Sequence, residues 1–287
     1  MLGITITIQI LSPTLKVALR IAFQLTPTQL YMLILLSPAK IQNFAPQQLT
    51  NTFTQPTFLK EAEKLVHEIR QLSAYELSKL LSINANLGQL NADRYFNWKK
   101  PFTPDNAKQA VLVFNGEVFH GLDAKSFSND DFEYTQSHLC ILSGLYGALR
   151  PLDLIQPYRL EISTKLQVDT AKDIYAFWGD KLTAWLNKAV NASGKPKTVL
   201  NLASGEYFKS INRNTLKAEV IDFEFLENKD DVYKPIVMYT KKARGLMARY
   251  VIDNRIENTE DLRGFSYEGY WYSEKLSSEN KMVFTRG

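Results

Sequence analysis

The sequence has very little cysteine and histidine. One of its 287 residues is cysteine and three are histidine, at positions 67, 120 and 138. The lone Cys140 excludes an internal disulfide, and its apolar setting in Leu139–Leu142 predicts a small buried hydrophobe and not a redox sensor. The histidines are too scattered for a zinc site, so no metal and no cofactor is predicted. The lack of paired cysteines is typical of a cytoplasmic protein.

Long hydrophobic runs and common catalytic motifs are also missing. No stretch reaches the roughly 18 uninterrupted apolar residues of a membrane helix, so no membrane partner is expected. The sequence has no Gly-x-Gly-x-x-Gly, no Walker phosphate loop and no Gly-x-Ser-x-Gly elbow. Its net charge of +4 is mildly basic and does not by itself indicate a partner. A polyanionic partner is expected only if the cations lie together on one surface.

Acidic residues are absent from the first 31 residues. A secretory signal would place positive charge before its apolar run, and Met1–Ile10 has none. Met32 then opens LILLSPAK, which is typical of a buried strand that runs into a turn. We therefore predict that residues 1–31 are an upstream extension or loose tail and that residues 32–287 form the folded domain. The alternative is an extra edge strand over Ile4–Leu11.

Strand-like and helical patterns alternate without a repeating unit. This predicts a mixed α/β (α+β) fold in a single compact domain. Helices are predicted over Phe58–Leu72, Ile174–Val190 and Lys241–Asn254, and Ser73 with Glu76 fits a capping box. The short β-branched or aromatic runs predicted as strands are Leu33–Leu36, Val111–Phe114, Val199–Leu202, Val220–Phe225, Ile236–Tyr239 and Met282–Phe284. A loop is predicted at Asn191–Lys197.

The segment Thr240–Asn254 carries a basic stripe. At ~100° per residue, its apolar side chains gather on one side and its cations fall on the opposite arc. Few acidic residues interrupt those cations, which favours contact with phosphate groups; a solvated helix face is the alternative. The cations are Lys241, Lys242, Arg244 and Arg249.

A second candidate for DNA contact is Leu80–Trp98, which reads as two short helices around a tight turn. In a helix-hairpin-helix, exposed N–H groups at a turn that contains glycine bind phosphates of the DNA backbone. Gly88 would be that glycine and Arg94 a supporting base. Gln89 departs from the favoured apolar residue after the glycine, and a plain helical hairpin explains the pattern as well.

The segment Leu142–Ile162 combines glycine and proline breaks with aromatic and charged residues, which suggests the wall of a cleft. Its arginines would face phosphates, its glutamate would orient one of them, and a tyrosine would stack on an unpaired base. The alternative is an internal ion pair with two core tyrosines. These residues are Tyr146, Arg150, Tyr158, Arg159 and Glu161.

Four residues are candidates for catalysis. Glu161 and Asp180 would serve as general acid and base if the fold brings them together. Ser204 follows a predicted strand, where a helix start would bind an anion; the alternative is that Ser204 only caps that helix. Glu206 lies close to Ser204 in sequence, and Glu206 and Tyr207 would form a small polar cluster with Lys209 about one helical turn away.

Six motifs extend over most of the chain, namely Met32–Lys40, Leu142–Asp153, Gln156–Glu161, Phe177–Asp180, Asn201–Ser210 and Lys241–Arg249. Together they resemble the YaaA peroxide-stress protein family, from Met32 to about Phe284. The resemblance implies a cytosolic protein of the bacterial response to hydrogen peroxide, a fold of its own type with a positively charged cleft, and binding of duplex or irregular DNA. It also implies a helix-hairpin-helix on Leu80–Trp98 and no established reaction.

Three functional hypotheses follow. The first is a DNA-binding stress protein without catalysis, with little preference for sequence. The second is an enzyme that acts on a nucleotide or damaged DNA in the same cleft. The third is iron sequestration by carboxylates, which the poverty of softer ligands disfavours. The first two require the cations to converge in one groove, and those expected there are Lys40, Arg150, Arg159, Lys209, Lys241, Lys242 and Arg244.

Overall fold

A mostly parallel sheet forms the centre of this mixed α/β fold. The computed structural model describes residues 32–190 and 197–287, so the predicted tail, its alternative strand and most of the predicted loop at 191–197 lie outside the described residues. The described strands are β1 (Met32–Leu36), β2 (Lys108–Gln109), β3 (Leu139–Ser143), β4 (Gly147–Leu149), β5 (Leu154–Ile155), β6 (Thr198–Asn201), β7 (Glu219–Lys229), β8 (Val232–Lys234), β9 (Trp271–Tyr272) and β10 (Lys281–Arg286).

The strand order in the main sheet is β4-β3-β1-β6-β7-β10-β9, and β8 pairs with β7. Strands β3, β1, β6, β7 and β10 run parallel, so their carboxyl ends share one edge of the sheet. In β1, Leu35 lies between Cys140 of β3 and Asn201 of β6. Burial on both faces explains why β1 and β3 read as continuous apolar runs. The short strands β2 and β5 pair separately.

Helices cover the sheet. Ser73 and Glu76 form the predicted capping box at the start of α2, which confirms that interpretation. Short 3₁₀ helices follow at Ala124–Ser126, Thr259–Gly264, Tyr267–Gly269 and Glu274–Leu276. The described α-helices are α1 (Leu59–Ile69), α2 (Ala74–Leu80), α3 (Ala85–Asn97), α4 (Ala110–Val113), α5 (Glu117–Leu122), α6 (Asn129–His138), α7 (Ile174–Trp178), α8 (Lys181–Ala189), α9 (Gly205–Phe208) and α10 (Val237–Asp253).

Three sequence-based element predictions are wrong. The run Val111–Phe114, predicted as a strand, belongs mostly to α4, and Ile236–Tyr239 leads into α10. Both are short apolar runs, for which periodicity does not separate a strand from a helix. The predicted helix Ile174–Val190 is split into α7 and α8. Gly179 ends α7 with a φ of 47°, a left-handed conformation that favours glycine.

Helices α5 and α10 cross in backbone contact. A Cβ on Gly245 would lie 1.8 Å from the carbonyl oxygen of Val118, and a Cβ on Gly121 would lie 2.3 Å from that of Lys242. Real Cβ atoms do not approach so closely, so each helix needs a glycine at this crossing. The crossing fixes the distance between the start of α5 and the cationic face of α10.

Candidate functional site

A cavity of about 340 Å³ opens at the edge where the parallel strands end. We call it the strand-end cavity. Ligands of open α/β sheets bind at this edge because the loops that follow the strands meet there. Five segments contribute lining residues: Ser37–Gln42 after β1, residues 202, 204, 206 and 207 after β6, Tyr158–Glu161, Gly116–Val118 at the start of α5, and one face of α10.

Two serines join the loops after β1 and β6. The backbone N–H of Ser204 donates to Ser37 Oγ at 2.8 Å, and Ser37 Oγ donates to Ser204 Oγ at 3.2 Å. Ser204 Oγ also accepts from the N–H of Tyr207 at 3.5 Å and caps α9. The capping interpretation of Ser204 is therefore confirmed, and its hydroxyl also faces the strand-end cavity.

Glu161 lies between two cations on one wall of the cavity. Its Oε1 is 3.3 Å from Lys40 Nζ and 3.2 Å from an Arg159 guanidinium nitrogen. The predicted ion pair between Arg159 and Glu161 is therefore present. Lys40 lies at the exposed end of this cluster, whereas the other two side chains are mostly buried. One carboxylate thus offsets part of the charge of two cations.

Lys241 and Arg244 line the opposite wall from α10. They are three residues apart and so share a face of the helix. Within residues 32–190 and 197–287, neither has a carboxylate within ion-pair distance, and Arg244 Nε is buried without a hydrogen-bond partner. Burial lowers the pKa of Arg244, but a guanidinium stays protonated in proteins. Arg244 is therefore a recessed positive charge that the described part of the chain leaves unpaired.

Two buried guanidinium nitrogens without a hydrogen-bond partner in the described chain belong to residues that line the cavity. They are Arg159 Nε and Arg244 Nε. Most buried polar atoms in native proteins are hydrogen-bonded, so such a group requires an explanation. Both nitrogens belong to cationic side chains, so this lining fits a ligand with an anionic group. The chemistry of the cavity therefore favours a small polar anion.

The predicted basic stripe on α10 separates into two sets. Lys242 forms an ion pair with Glu268 at 2.5 Å, and Arg249 forms one with Asp253 at 2.7 Å. Arg249 also donates to Ser126 Oγ at 2.5 Å. These two cations do not line the cavity and already have anionic partners, so the prediction that Lys242 shares one groove with the other cations is wrong.

Two further predicted cations lie elsewhere. Arg150 is bound to the buried carboxylate of Asp153, through its backbone N–H at 2.8 Å and a guanidinium nitrogen at 3.4 Å. Lys209 lies over the ring of Tyr175, 5.4 Å from its centroid, beside a different surface pocket. Of the seven cations predicted for one groove, the structure brings four together, namely Lys40, Arg159, Lys241 and Arg244.

The tyrosines predicted to stack on a base are core residues. Tyr146 is 0% exposed and its hydroxyl accepts from Trp98 Nε1 at 3.0 Å. Tyr158 is 2% exposed and its hydroxyl shares a hydrogen bond of 2.7 Å with Ser143 Oγ. Both rings are covered, so the stacking prediction is wrong, although one edge of Tyr158 contributes to the floor of the cavity.

Gly88 does not lie at a hairpin turn. The turn between α2 and α3 falls at residues 81–84, and Gly88 lies in α3, where its N–H bonds to the carbonyl oxygen of Asn84 at 2.9 Å. A Cβ there would be 2.6 Å from the carbonyl oxygen of Ala74, so the glycine allows the two helices to pack. The predicted phosphate contact through Gly88 is wrong. Arg94 is half-buried, donates to Asn91 Oδ1 at 3.2 Å and lies outside the strand-end cavity.

Three of the four catalytic candidates meet. Glu161, Ser204 and Glu206 line the cavity, and Glu206 accepts from Ser163 Oγ at 2.6 Å. Asp180 lies apart from them and accepts from Asn212 Nδ2 at 3.1 Å. The structure therefore does not bring Asp180 into the cavity with Glu161, and Asp180 lies directly before α8.

Sequence reasoning missed several residues that line the cavity, among them Ser37 and Glu117. Ser37 follows β1 directly, just as Ser204 follows β6 by three residues, so the rule that ligands bind at strand ends would have found it. Glu117 is the first residue of α5, which the sequence did not predict as a helix.

Comparison with protein families identifies the family of this chain. The family model described as "Peroxide stress protein YaaA" matches residues 32–276, from the first residue of β1 to the last 3₁₀ helix. Every residue that lines the strand-end cavity falls within this range. In the described part of the chain, no helix is both long and apolar enough to cross a bilayer. The same residues contain no cluster of three or more potential metal ligands.

Proposed function

The chain belongs to the peroxide stress protein YaaA family, and from this premise we propose that it protects the cell by binding DNA through the cations of the strand-end cavity. The partner is duplex or partly unpaired DNA, the protein acts in the cytoplasm, and no reaction is required. Because these cations contact phosphates and not base edges, binding has little sequence preference.

One observation carries this proposal: Lys241 and the recessed Arg244 lie on one wall without a carboxylate partner among the described residues. Guanidinium groups bind phosphate oxygens through paired, charge-assisted hydrogen bonds. The carboxylates that line the cavity have partners of their own. Glu117 pairs with His120, Glu206 accepts from Ser163, and Glu161 lies between two cations. A phosphate would therefore meet two cations that lack a carboxylate partner in the described part of the chain, in a lining whose four cations exceed its three carboxylates by one charge.

Salt dependence tests the proposal. Wild-type protein is titrated into a fluorescein-labelled duplex that carries a 5′-phosphorylated single-stranded overhang, and anisotropy is measured between 50 and 200 mM salt. Binding through phosphates releases counterions, so affinity should fall steeply with salt. Affinity that stays constant over this range would exclude DNA binding by these cations.

Arg244→Gln assigns the binding to the cavity. Loss of one charge-assisted phosphate contact should weaken binding about tenfold or more and make the salt dependence shallower. Lys64→Gln is the matched control, since Lys64 is an exposed cation on α1, outside the cavity. Equal losses in the two variants would contradict the role of Arg244.

An enzyme in the same cavity is the second candidate, because Glu161, Ser204 and Glu206 line it together with the cations. Glu161→Gln separates the two functions. If binding alone protects the cell, this variant should bind DNA at least as tightly as the wild type, since it removes a negative charge, and should preserve survival in peroxide. A variant that binds DNA but fails to protect would support catalysis.

A further inference from the structure

The cations of the strand-end cavity differ in how deeply they are buried. Lys40 and Lys241 are exposed at its mouth, whereas the side chain of Arg159 is 19% exposed and Arg244 Nε is fully covered. The phosphates of a continuous duplex lie on a convex surface and would contact only the exposed lysines. A phosphate reaches Arg244 only if its nucleotide leaves the helix or forms the end of a strand.

The size and lining of the cavity suit one nucleotide. Its volume of about 340 Å³ is at the small end of ligand pockets, which range over roughly 300–1,000 Å³. Arg244 and Lys241 provide donors for a phosphate, and the Glu161 carboxylate provides an acceptor for an N–H of a base or a hydroxyl of the sugar. Apolar side chains between them offer surface to a ring, namely Val118, Leu160 and Leu202.

Apolar side chains border the mouth. Val237 and Met238 precede Lys241 by about one helical turn on α10, and their side chains are 70% and 55% exposed. Residues three and four apart lie on one face of a helix, so these side chains adjoin Lys241. A base that follows the bound nucleotide along an unpaired strand would pack on this surface.

We propose that the strand-end cavity binds a single unpaired or terminal nucleotide by its phosphate, and that Arg244 and Lys241 bind this phosphate. The inference rests on the proposed DNA-binding function and adds a structural preference to it: strand ends and unpaired nucleotides bind better than an unbroken duplex. Free nucleotides share this chemistry, and the test includes them as a separate arm.

Competition measured by anisotropy tests the preference. Unlabelled competitors of one sequence displace a labelled duplex with a 5′-phosphorylated single-stranded overhang. They are a covalently closed duplex circle, the linear duplex with the phosphorylated overhang, the same duplex with a 5′-hydroxyl, and deoxycytidine monophosphate. The phosphorylated overhang should compete about tenfold better than the circle. The mononucleotide should compete weakly, because it lacks the neighbouring base.

Variants test whether Arg244 and Lys241 cause the preference for the overhang over the circle. Arg244→Gln should reduce the tenfold difference between overhang and circle to less than about twofold, and thermal unfolding will show whether this variant is folded. Lys241→Gln changes an exposed side chain and provides a second test that does not depend on the core. Lys64→Gln should keep the full difference.

The results distinguish failure of the nucleotide-site inference from failure of the DNA-binding proposal. If the wild type binds circle and overhang equally well, the nucleotide-site inference is overturned while DNA binding stands. If the wild type binds no DNA, both are overturned, and direct titration with deoxycytidine monophosphate then tests for a site that binds free nucleotides alone. A preference that survives in both folded variants would overturn the assignment to Arg244 and Lys241.

Discussion

Replacing Gly245 by alanine tests whether the crossing of α5 and α10 positions the candidate site. The new methyl group would lie 1.8 Å from the carbonyl oxygen of Val118 and 2.8 Å from the N–H nitrogen of Leu122. Both neighbours are backbone atoms of a helix, so neither can rotate away as the end of a side chain would. The helices must separate, and Arg244 must move with α10.

The expected loss of stability follows from the close contact of the new methyl group with the backbone of α5. Overpacking of a close-packed interior typically costs about 1–3 kcal/mol, and rigid backbone neighbours place Gly245→Ala at the upper end. We expect the free energy of unfolding to fall by about 3 kcal/mol. For a chain of this size, that loss lowers the Tm by roughly 6–12 °C. DNA affinity should fall as well, because Arg244 is displaced from the opposite wall.

Urea denaturation followed by tryptophan fluorescence measures the loss. Gly205→Ala is the matched control, since a Cβ there has no neighbour within 4 Å and the residue begins α9. Alanine at this position should leave stability unchanged or raise it by up to about 1 kcal/mol. Equal midpoints for wild type and Gly245→Ala would refute the claim that the crossing requires glycine.

Two further predictions concern buried titratable groups. Burial raises the pKa of Asp153 to about 6 from its usual 3.8, so its contribution to stability is full below about pH 4 and is lost as pH rises through 6. Relative to Asp153→Asn, the wild type should lose about 3 kcal/mol of unfolding free energy between pH 4 and 7, measured by urea titration; parallel pH profiles would contradict this. Burial also raises the pKa of the Cys140 thiol well above its usual range. Native protein should therefore resist iodoacetamide and hydrogen peroxide while urea-unfolded protein reacts, as mass spectrometry can show; equal rates would contradict its burial.

Local sequence predicted the elements whose environment matches their pattern. Leu33–Leu36 and Val199–Leu202 were predicted as strands and lie in or overlap β1 and β6, because parallel strands buried on both faces require continuous apolar runs. Val111–Phe114 has the same composition but lies mostly in the short helix α4, whose four residues are all buried. Only the tertiary surroundings distinguish these cases.

The residues of the candidate site could also be predicted only in part from local sequence. Helical periodicity correctly placed Lys241 and Arg244 on one face, since three residues make nearly one turn. It could not show that Lys242 pairs with Glu268, which lies 26 positions away in the chain. Pairings between distant residues decide which cations remain uncompensated, and a single sequence does not contain them.

The walls of the strand-end cavity come from opposite ends of the described chain. Lys40 follows the first strand, and Arg244 belongs to a helix that is synthesised some two hundred residues later. A nascent polypeptide on the ribosome, or a fragment left by proteolysis upstream of α10, would carry Lys40 and Glu161 without the unpaired cations. The capacity to hold a phosphate would thus arise in one late step of synthesis, so incomplete chains would not occupy DNA.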